Sequence, residues 1–369
     1  MDPSIAVAVT LVLAAALAFE LNVSSAILEI GAGILLGVWL GDLASLGWLH
    51  FLANLGMLGL MFMAGFEVDV DRLRDTWKAS IAIGVSSLAM PLAGVFLVAY
   101  YGLDLSPLAA GLVAVALSTT SLALVFHALK ERGLLRRQLG QTVLAAASVV
   151  DVLSMVILAL MLGEVGWGTA IFLLVVIPTL FGLPRVGRWI FRRYRHSLVE
   201  LELRFVLVLL VSLGFMAEEV GGIHPAVVAF ALGLVLSEVV DAHDEVEEKL
   251  KGIVFSFFAP IFFLHAGTQF RPGLLSMDSL WIAALLFAVA CALKFVGTAL
   301  PARRLLALPG RFVGLLFNYR LSFGIIAATV GLNMGVLSEQ LYAIVLLVVL
   351  ASAGLPVIFL RDRPTELGP

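Results

Sequence analysis

The sequence predicts an all-α membrane protein with about thirteen transmembrane helices. This prediction rests on its composition and its hydropathy. Of the 369 residues, 62% are hydrophobic and 13% are charged, whereas soluble domains are about 25% charged. The mean hydropathy is +1.09. Apolar runs of bilayer-crossing length recur along the whole chain. Because unpaired backbone groups are not tolerated in lipid, we expect these runs to be helical.

The apolar runs define the predicted spans. Their approximate limits are 4–21, 24–42, 50–67, 79–101, 107–128, 139–163, 168–187, 202–220, 223–241, 250–268, 279–300, 311–332 and 338–360. Spans 2, 3, 9 and 10 are short or glycine-rich, so we expect some of them to be tilted or broken. The first span follows Met-Asp-Pro without a basic segment, which indicates a retained helix rather than a signal peptide.

The basic residues orient these spans. Of the 23 Lys and Arg residues, all but Arg271, Lys294 and Arg320 fall on one side of the predicted membrane. They are Arg72, Arg74, Lys78, Lys130, Arg132, Arg136, Arg137, Arg185, Arg188, Arg192, Arg193, Arg195, Arg204, Lys249, Lys251, Arg303, Arg304, Arg311, Arg361 and Arg363. By the positive-inside rule this side is cytoplasmic. We therefore expect a multi-pass protein of the inner (plasma) membrane, with its N-terminus outside and its C-terminus in the cytoplasm.

The two halves of the chain resemble each other in order. Three pairs of segments align: 21–40 with 220–239, 58–73 with 260–275, and 127–146 with 329–348. Residues 1–163 (spans 1–6) then repeat as residues 201–369 (spans 8–13), with a linker helix in 164–200. An offset of seven spans inverts the second copy, and inverted repeats are typical of secondary transporters. The alternative is that small-residue helices share such strings because of packing alone.

Three charged side chains lie deep in apolar segments. Asp151 is near the middle of span 6, Lys294 lies in span 11 and Arg320 lies in span 12. A charge at the bilayer centre costs at least ~2.5–3.5 kcal/mol on insertion scales, so these residues indicate ion binding and transport. The alternatives are a structural ion pair for Asp151 and snorkelling to the interface for Lys294.

Polar clusters interrupt spans 5 and 12 at the same depth. Span 5 contains Ser118, Thr119, Thr120 and Ser121 in a row. Span 12 contains Asn318, Arg320 and Ser322. We expect two discontinuous helices that face each other, whose free carbonyls and hydroxyls replace the hydration shell of a cation. The alternative is that Ser and Thr bond back to their own helix.

Asp151 is the best candidate for binding a hard monovalent cation, because a carboxylate oxygen is a preferred ligand of such ions. One carboxylate cannot hold a proton and a metal ion together, so competition between them is enough for antiport. Arg320 is expected to neutralise helix ends or acids such as Glu29. Glu29 lies near the start of span 2, either beside an inner cavity or at the membrane interface.

Several classes of protein are disfavoured. Cys291 is the single cysteine, which excludes an internal disulfide, and no metal-binding spacing accompanies it. There is no phosphate-binding loop after a strand and no nucleotide-binding domain. We therefore expect no cofactor, no nucleic-acid partner and no enzymatic catalysis.

Five motifs together give the chain a resemblance to the monovalent cation:proton antiporters. They are AGILLG with FMAGFEVDVDRL, STTSLALVFHALKERGLL before QTVLAAASVVDVL, FALGLVLSE with FFAPIFFLHAG, the lone Lys294, and LSEQLYAIVLLVV. The resemblance covers nearly the whole chain. This superfamily includes sodium/proton antiporters and potassium efflux transporters.

The resemblance implies a homodimer with a dimerisation domain and a core domain, interleaved across both repeats, that works by an elevator-type movement. It also implies crossed broken helices in the core. It matches Asp151 to the ion-binding aspartate, Thr119 and Thr120 to the first break, Lys294 to the core lysine and Arg320 to the arginine of the second break.

Two positions depart from the pattern of the resembling proteins. Val150 stands where members often carry an Asp, Asn or Gln before the aspartate, and Ser322 stands where some relatives place a glutamate. We therefore expect Lys294 to approach Asp151 or another acid, and one proton to be exchanged per cation.

The predicted function is exchange of a monovalent cation, sodium in preference to potassium, for protons across the lipid bilayer. Three alternatives remain open at this point. They are potassium/proton exchange, sodium-coupled symport of an organic solute, and a transport-inactive sensor or subunit.

Overall fold

The computed structural model describes residues 2–21, 23–41, 43–68, 70–135, 137–163, 166–194, 200–240, 244–306 and 309–360. Every regular element within these ranges is helical. The α-helices are α1 (Pro3–Leu21), α2 (Ser25–Leu40), α3 (Gly47–Phe66), α4 (Val70–Leu97), α5 (Pro107–Ala116), α6 (Leu122–Glu131), α7 (Gln138–Leu162), α8 (Trp167–Arg193), α9 (Leu201–Glu219), α10 (Pro225–Val240), α11 (Asp244–Ile253), α12 (Ala259–Thr268), α13 (Met277–Leu306), α14 (Gly310–Leu316), α15 (Ser322–Asn333) and α16 (Glu339–Leu360).

Hydropathy and helix length together confirm a multi-pass membrane protein. Within the described ranges, 7 helical segments are long and apolar enough to cross a membrane, and further apolar helices of 10–17 residues accompany them. The number of thirteen spans stays a prediction. Four of the basic residues used to orient the spans lie outside the described residues: Arg136, Arg195, Arg361 and Arg363.

The breaks in the helices occur where polar clusters were found, and not where glycines are frequent. Spans 5 and 12 are each divided into two helices, as predicted. The helices α2, α3 and α10 are continuous, so spans 2, 3 and 9 are not broken, and their tilt stays a prediction. Span 10 contains a π-helical turn, Val254–Phe258, between α11 and α12.

Glycines in these continuous helices allow backbones to touch. A Cβ atom on Gly33 in α2 would lie 2.0 Å from the carbonyl oxygen of Leu264 in α12. A Cβ atom on Gly267 in α12 would lie 2.2 Å from the carbonyl oxygen of Ile30 in α2. Neither position has room for a side chain, because two membrane helices approach this closely only through small residues.

A second crossing of the same kind joins α3 and α10. A Cβ atom on Gly65 would lie 2.0 Å from the carbonyl oxygen of Phe230, and one on Gly233 would lie 2.0 Å from that of Phe62. The sequence repeat aligns the segment of α2 with that of α10, and the segment of α3 with that of α12. Under the predicted repeat, the two crossings are equivalent contacts of its two copies.

The chain divides into two compact units. Unit 1 comprises Met1–Val68 and Ala159–Gln269, and unit 2 comprises Asp69–Leu158 and Phe270–Pro369. Each unit takes helices from both halves of the sequence. The predicted repeat boundaries, 1–163, 164–200 and 201–369, describe a different division and stay a prediction.

An apolar cluster in unit 2 includes one half of each divided helix, α6 and α14. Buried side chains of α4, α6, α7 and α14 form one cluster, which includes Ile83, Val125, Val150 and Phe317. This packing fixes the elements that carry the polar breaks, because interdigitated side chains in a dense core leave little freedom to shift.

Replacing Gly33 with alanine is expected to destabilise the protein by about 1–3 kcal/mol, because the new methyl group would overlap the carbonyl oxygen of Leu264. Gly31→Ala on the same helix is the matched control, since nothing lies within 4 Å of a Cβ at that position. The thermal unfolding midpoint of each variant in detergent measures the effect on stability. Equal midpoints for the two variants would contradict the close crossing.

Candidate functional site

Two helix breaks of equal length form the centre of unit 2. The first break, residues 117–121, separates the end of α5 at Ala116 from the start of α6 at Leu122. The second break, residues 317–321, separates the end of α14 at Leu316 from the start of α15 at Ser322. Ser and Thr side chains compete with the helix ladder for backbone partners, which favours a break at these positions.

The two breaks cross and bond to each other. The backbone N–H of Ser121 donates a hydrogen bond to the carbonyl oxygen of Tyr319, with an N···O distance of 2.7 Å. The hydroxyl of Thr120 donates to the carbonyl oxygen of Phe317 over 3.3 Å. This contact confirms the predicted pair of crossed discontinuous helices.

Two hydroxyls of the first break bond back to their own helix. The Ser118 Oγ donates to the carbonyl oxygen of Ala114 over 2.6 Å, and the Thr119 Oγ1 donates to that of Ala116 over 3.4 Å. The alternative that hydroxyls bond to carbonyls of their own helix therefore holds for Ser118 and Thr119. The hydroxyl of Thr120 instead bonds to the second break. All four residues from Ser118 to Ser121 are buried.

Lys294 on α13 is fully buried and points at the first break. Its Nζ donates a hydrogen bond to the carbonyl oxygen of Ser118 over 2.5 Å and lies 6.0 Å from the ring centroid of Phe317. The Ser118 carbonyl follows the C-terminal end of α5, where the helix dipole is negative and favours a cation. Lys294 therefore does not snorkel to the interface.

Arg320 is also fully buried, within the second break. Its Nη2 donates to the carbonyl oxygen of Ala290 and to the Oδ1 of Asn318, both over 2.8 Å. The Asn318 Nδ2 in turn donates to the carbonyl oxygen of Gly314 over 3.0 Å. Arg320 thus anchors the second break to α13 through its Nη2, whereas its Nε and Nη1 are buried without a hydrogen-bond partner in the described part of the chain.

Asp151 lies in the middle of α7 with 5% of its surface exposed. It interacts electrostatically with Lys294, which also interacts with Arg320. A direct approach of Lys294 to Asp151 stays a prediction. The neighbouring Val150 is completely buried in the apolar cluster that contains Phe317.

Sequence reasoning missed three buried groups around the charged residues. Ser148 and Ser154 lie three residues before and after Asp151, on the same face of α7, and both are buried. Their spacing of three residues from Asp151 predicts this position, because residues three apart lie on the same face of a helix. Cys291 lies beside Arg320 and interacts with it, and no feature of the amino-acid sequence predicts this contact.

The remaining predicted residues lie elsewhere. Ser322 is half-buried at the first position of α15. Glu29 is buried on α2, where its side chain bonds to Ser25, and it belongs to unit 1. The hydrogen bonds of Arg320 go to Ala290 and Asn318, so neutralisation of Glu29 by Arg320 stays a prediction.

Crossed broken helices are typical of secondary transporters. Comparison with protein families extends this assignment, since the family described as "Sodium/hydrogen exchanger, transmembrane" matches residues 7–361. The chain belongs to this family. It is therefore a transporter and not an enzyme.

Curated relatives and solved structures agree with this assignment. The chain is 30% identical over 342 residues to the probable Na⁺/H⁺ antiporter 3 of Methanocaldococcus jannaschii, covering 89% of this chain and 87% of the relative. It is 26% identical to the Na⁺/H⁺-K⁺ antiporter GerN of Bacillus cereus, covering 86% and 85%. The structure of the sodium proton antiporter MjNhaP1 of M. jannaschii superposes with a TM-score of 0.70 at 16% identity, covering 97% of this chain and 95% of that one. This last likeness establishes the fold.

Proposed function

We propose that the chain exchanges sodium ions for protons by alternating access, and that Asp151 is the group at which the two ions compete. The observation that carries this proposal is the buried carboxylate of Asp151 in electrostatic interaction with Lys294, whose ammonium binds the first helix break. Membership of the sodium/hydrogen exchanger family and the names of the relatives support the same activity.

Oxygen atoms around Asp151 would complete the cation site. A hard monovalent cation prefers oxygen ligands. The carboxylate supplies the charge, and the Ser118–Ser121 break offers hydroxyl and carbonyl oxygens. Because the hydroxyls of Ser118, Thr119 and Thr120 donate their protons to backbone carbonyls, their lone pairs remain available to a cation.

Lys294 and Arg320 would have supporting roles. Lys294 supplies positive charge beside Asp151 and satisfies the carbonyl at the end of α5. Arg320, with Asn318, holds the second break in place. These positive charges would stabilise the ionised carboxylate of Asp151 while no ion is bound to it. When Asp151 takes up a proton, the cation loses its charged ligand and leaves.

The single carboxylate determines the proposed stoichiometry. Val150, the position where many resembling proteins carry a polar residue, is apolar and completely buried. One acid that binds either one sodium ion or one proton exchanges them one for one. Such exchange moves no net charge, so its rate should not respond to an imposed membrane voltage.

Two observations favour sodium/proton exchange over the other functions considered. A solute symporter has no need of a lysine deep in the protein, whereas Lys294 is completely buried at the breaks. A transport-inactive subunit has no need to keep Asp151, Lys294 and Arg320 buried together, since each buried charge is costly. The named relatives favour sodium over potassium.

Proton flux in proteoliposomes tests the proposed function. The purified full chain, reconstituted with an internal pH dye, should move protons when sodium is added outside, across pH 6–9, and more strongly than with potassium. The flux should be equal with and without an imposed voltage. Absence of any cation-dependent flux at every pH would overturn the proposal, as would flux with potassium alone.

We also propose that the N-terminus lies outside the inner membrane and the C-terminus in the cytoplasm, and that the protein is a homodimer. The distribution of basic residues supports the orientation, and the family resemblance supports the dimer. The mass of the purified protein in detergent tests the dimer, because a mass of 39.4 kDa after subtraction of detergent would indicate a monomer.

Labelling of single cysteines in intact cells tests the orientation. In a Cys291→Ala background, an impermeant thiol reagent added outside should label Met334→Cys after α15 and leave Glu131→Cys at the end of α6 unlabelled, since both positions are exposed. The reverse pattern would contradict the proposed orientation.

A further inference from the structure

Two histidines lie together in unit 1, apart from the residues proposed for transport. His50 lies one turn into α3 and His265 lies near the end of α12. A 3₁₀ turn, Leu43–Ser45, precedes α3 and packs beside both helices. Buried Leu43, Leu49 and Leu264 belong to one apolar cluster, which fixes the two helices and the turn against each other.

The separation of the two imidazole rings suits a shared metal ion. The ring centroids are 5.6 Å apart and the ring planes are inclined by 65°. A Zn–N bond is about 2.0–2.1 Å long, which places each ring centroid about 3.2 Å from the metal. Two rings on one metal near the tetrahedral angle therefore have centroids about 5.2 Å apart. The observed centroid separation of 5.6 Å is close to this value.

The His265 ring is arranged as metal-binding histidines usually are. His265 is 2% exposed, and its ring bonds to the backbone of Ala44 in the 3₁₀ turn. Its Nε2 is buried and has no hydrogen-bond partner in the described part of the chain. Metal-binding histidines typically donate one ring N–H to a backbone carbonyl or carboxylate, which leaves the lone pair of the other nitrogen for the metal.

His50 and Asn54 provide the accessible side of the pair. His50 is exposed in the first turn of α3, whereas His265 is buried. The Asn54 Nδ2 lies 3.1 Å from the His50 Nε2 and orients the ring, and rotation of the amide would present its oxygen instead. No cluster of three or more His, Cys, Asp or Glu side chains occurs in the described ranges. Water would have to complete the coordination shell.

We propose that His50 and His265 bind a divalent transition-metal ion of the zinc class between α3 and α12. Neutral imidazoles suit Zn²⁺, Cu²⁺ and Ni²⁺, whereas Mg²⁺ and Ca²⁺ require carboxylate oxygens that are not part of this pair. With two protein ligands the site is exchangeable rather than structural. A bound ion would join the ends of two helices of unit 1. This proposal does not rest on the transport function.

Zinc binding by the purified full chain tests the proposal. The protein carries an affinity tag without histidines, and Zn²⁺ is titrated in competition with a chromophoric zinc indicator. Wild type should bind one Zn²⁺ that is lost or weakened at least about tenfold in His50→Gln and in His265→Gln, because even outer-shell changes cost about 10–100-fold. His127→Gln, which changes an exposed histidine of α6, should bind zinc like wild type.

Two further measurements separate loss of the ligand from loss of the fold. Each variant must retain the gel-filtration profile and the zinc-free unfolding midpoint of wild type, and X-ray absorption of the zinc-loaded wild type should show two imidazole ligands. If the double variant His50→Gln/His265→Gln binds zinc as tightly as wild type, the proposal is overturned. Zinc coordinated without imidazole would overturn it equally.

Discussion

Asp151→Asn is expected to reduce sodium-driven proton flux to the level of protein-free liposomes. Asparagine has nearly the same shape but carries no charge and cannot take up a proton at physiological pH, so neither ion is bound in exchange for the other. Asp151 is buried in the middle of α7. The measurement is flux in proteoliposomes at matched protein density.

Glu202→Gln is the control for this variant. It also removes a buried carboxylate, but from α9 in unit 1 rather than from the segment beside the helix breaks. Its flux should match that of wild type. If Asp151→Asn exchanges sodium for protons at the wild-type rate, Asp151 is not the competing group.

Lys294→Gln is expected to destabilise the protein by about 1.5–3 kcal/mol, the usual contribution of a hydrogen bond to a charged group. The substitution removes the ammonium donor of the Ser118 carbonyl and the positive charge that interacts with Asp151. Glutamine keeps an N–H donor, but its side chain is one atom shorter than that of lysine, so the Ser118 carbonyl at the broken helix end is expected to lose its donor. Thermal unfolding in detergent measures the loss.

Lys251→Gln is the matched surface change. Lys251 forms an ion pair with Glu247 on α11 over 2.6 Å, and its side chain is 39% exposed. An exposed pair of this kind contributes about 0–1 kcal/mol, so this variant should unfold close to wild type. An unfolding midpoint for Lys294→Gln as high as that of Lys251→Gln would mean that Lys294 is not needed to hold the first break.

The sequence indicated the helix breaks because their chemistry differs from that of the surrounding lipid-depth segments. A run from Ser118 to Ser121, and Asn318 with Arg320 in the repeat partner, interrupt otherwise apolar helices at similar depth. Polar side chains at such a depth need partners, and a break supplies free carbonyls and amides. The resulting gaps, 117–121 and 317–321, coincide with those clusters.

The partners of the buried charges were less predictable. Lys294 binds the carbonyl of Ser118, and Arg320 binds that of Ala290. Every residue has a carbonyl, so no residue type in the sequence marks these acceptors. Glycine frequency was misleading for a related reason. Gly33 and Gly65 could indicate either a break or a close crossing, and only the position of the neighbouring helix distinguishes these two uses.

Proton release during sodium binding tests the central claim most directly. At a pH at which Asp151 carries a proton, purified protein in weakly buffered detergent solution should release protons into the medium when sodium is added, because sodium displaces that proton. The expected amount is one proton for each sodium ion bound in wild type and none in Asp151→Asn. Equal proton release by wild type and Asp151→Asn would contradict competition at this carboxylate.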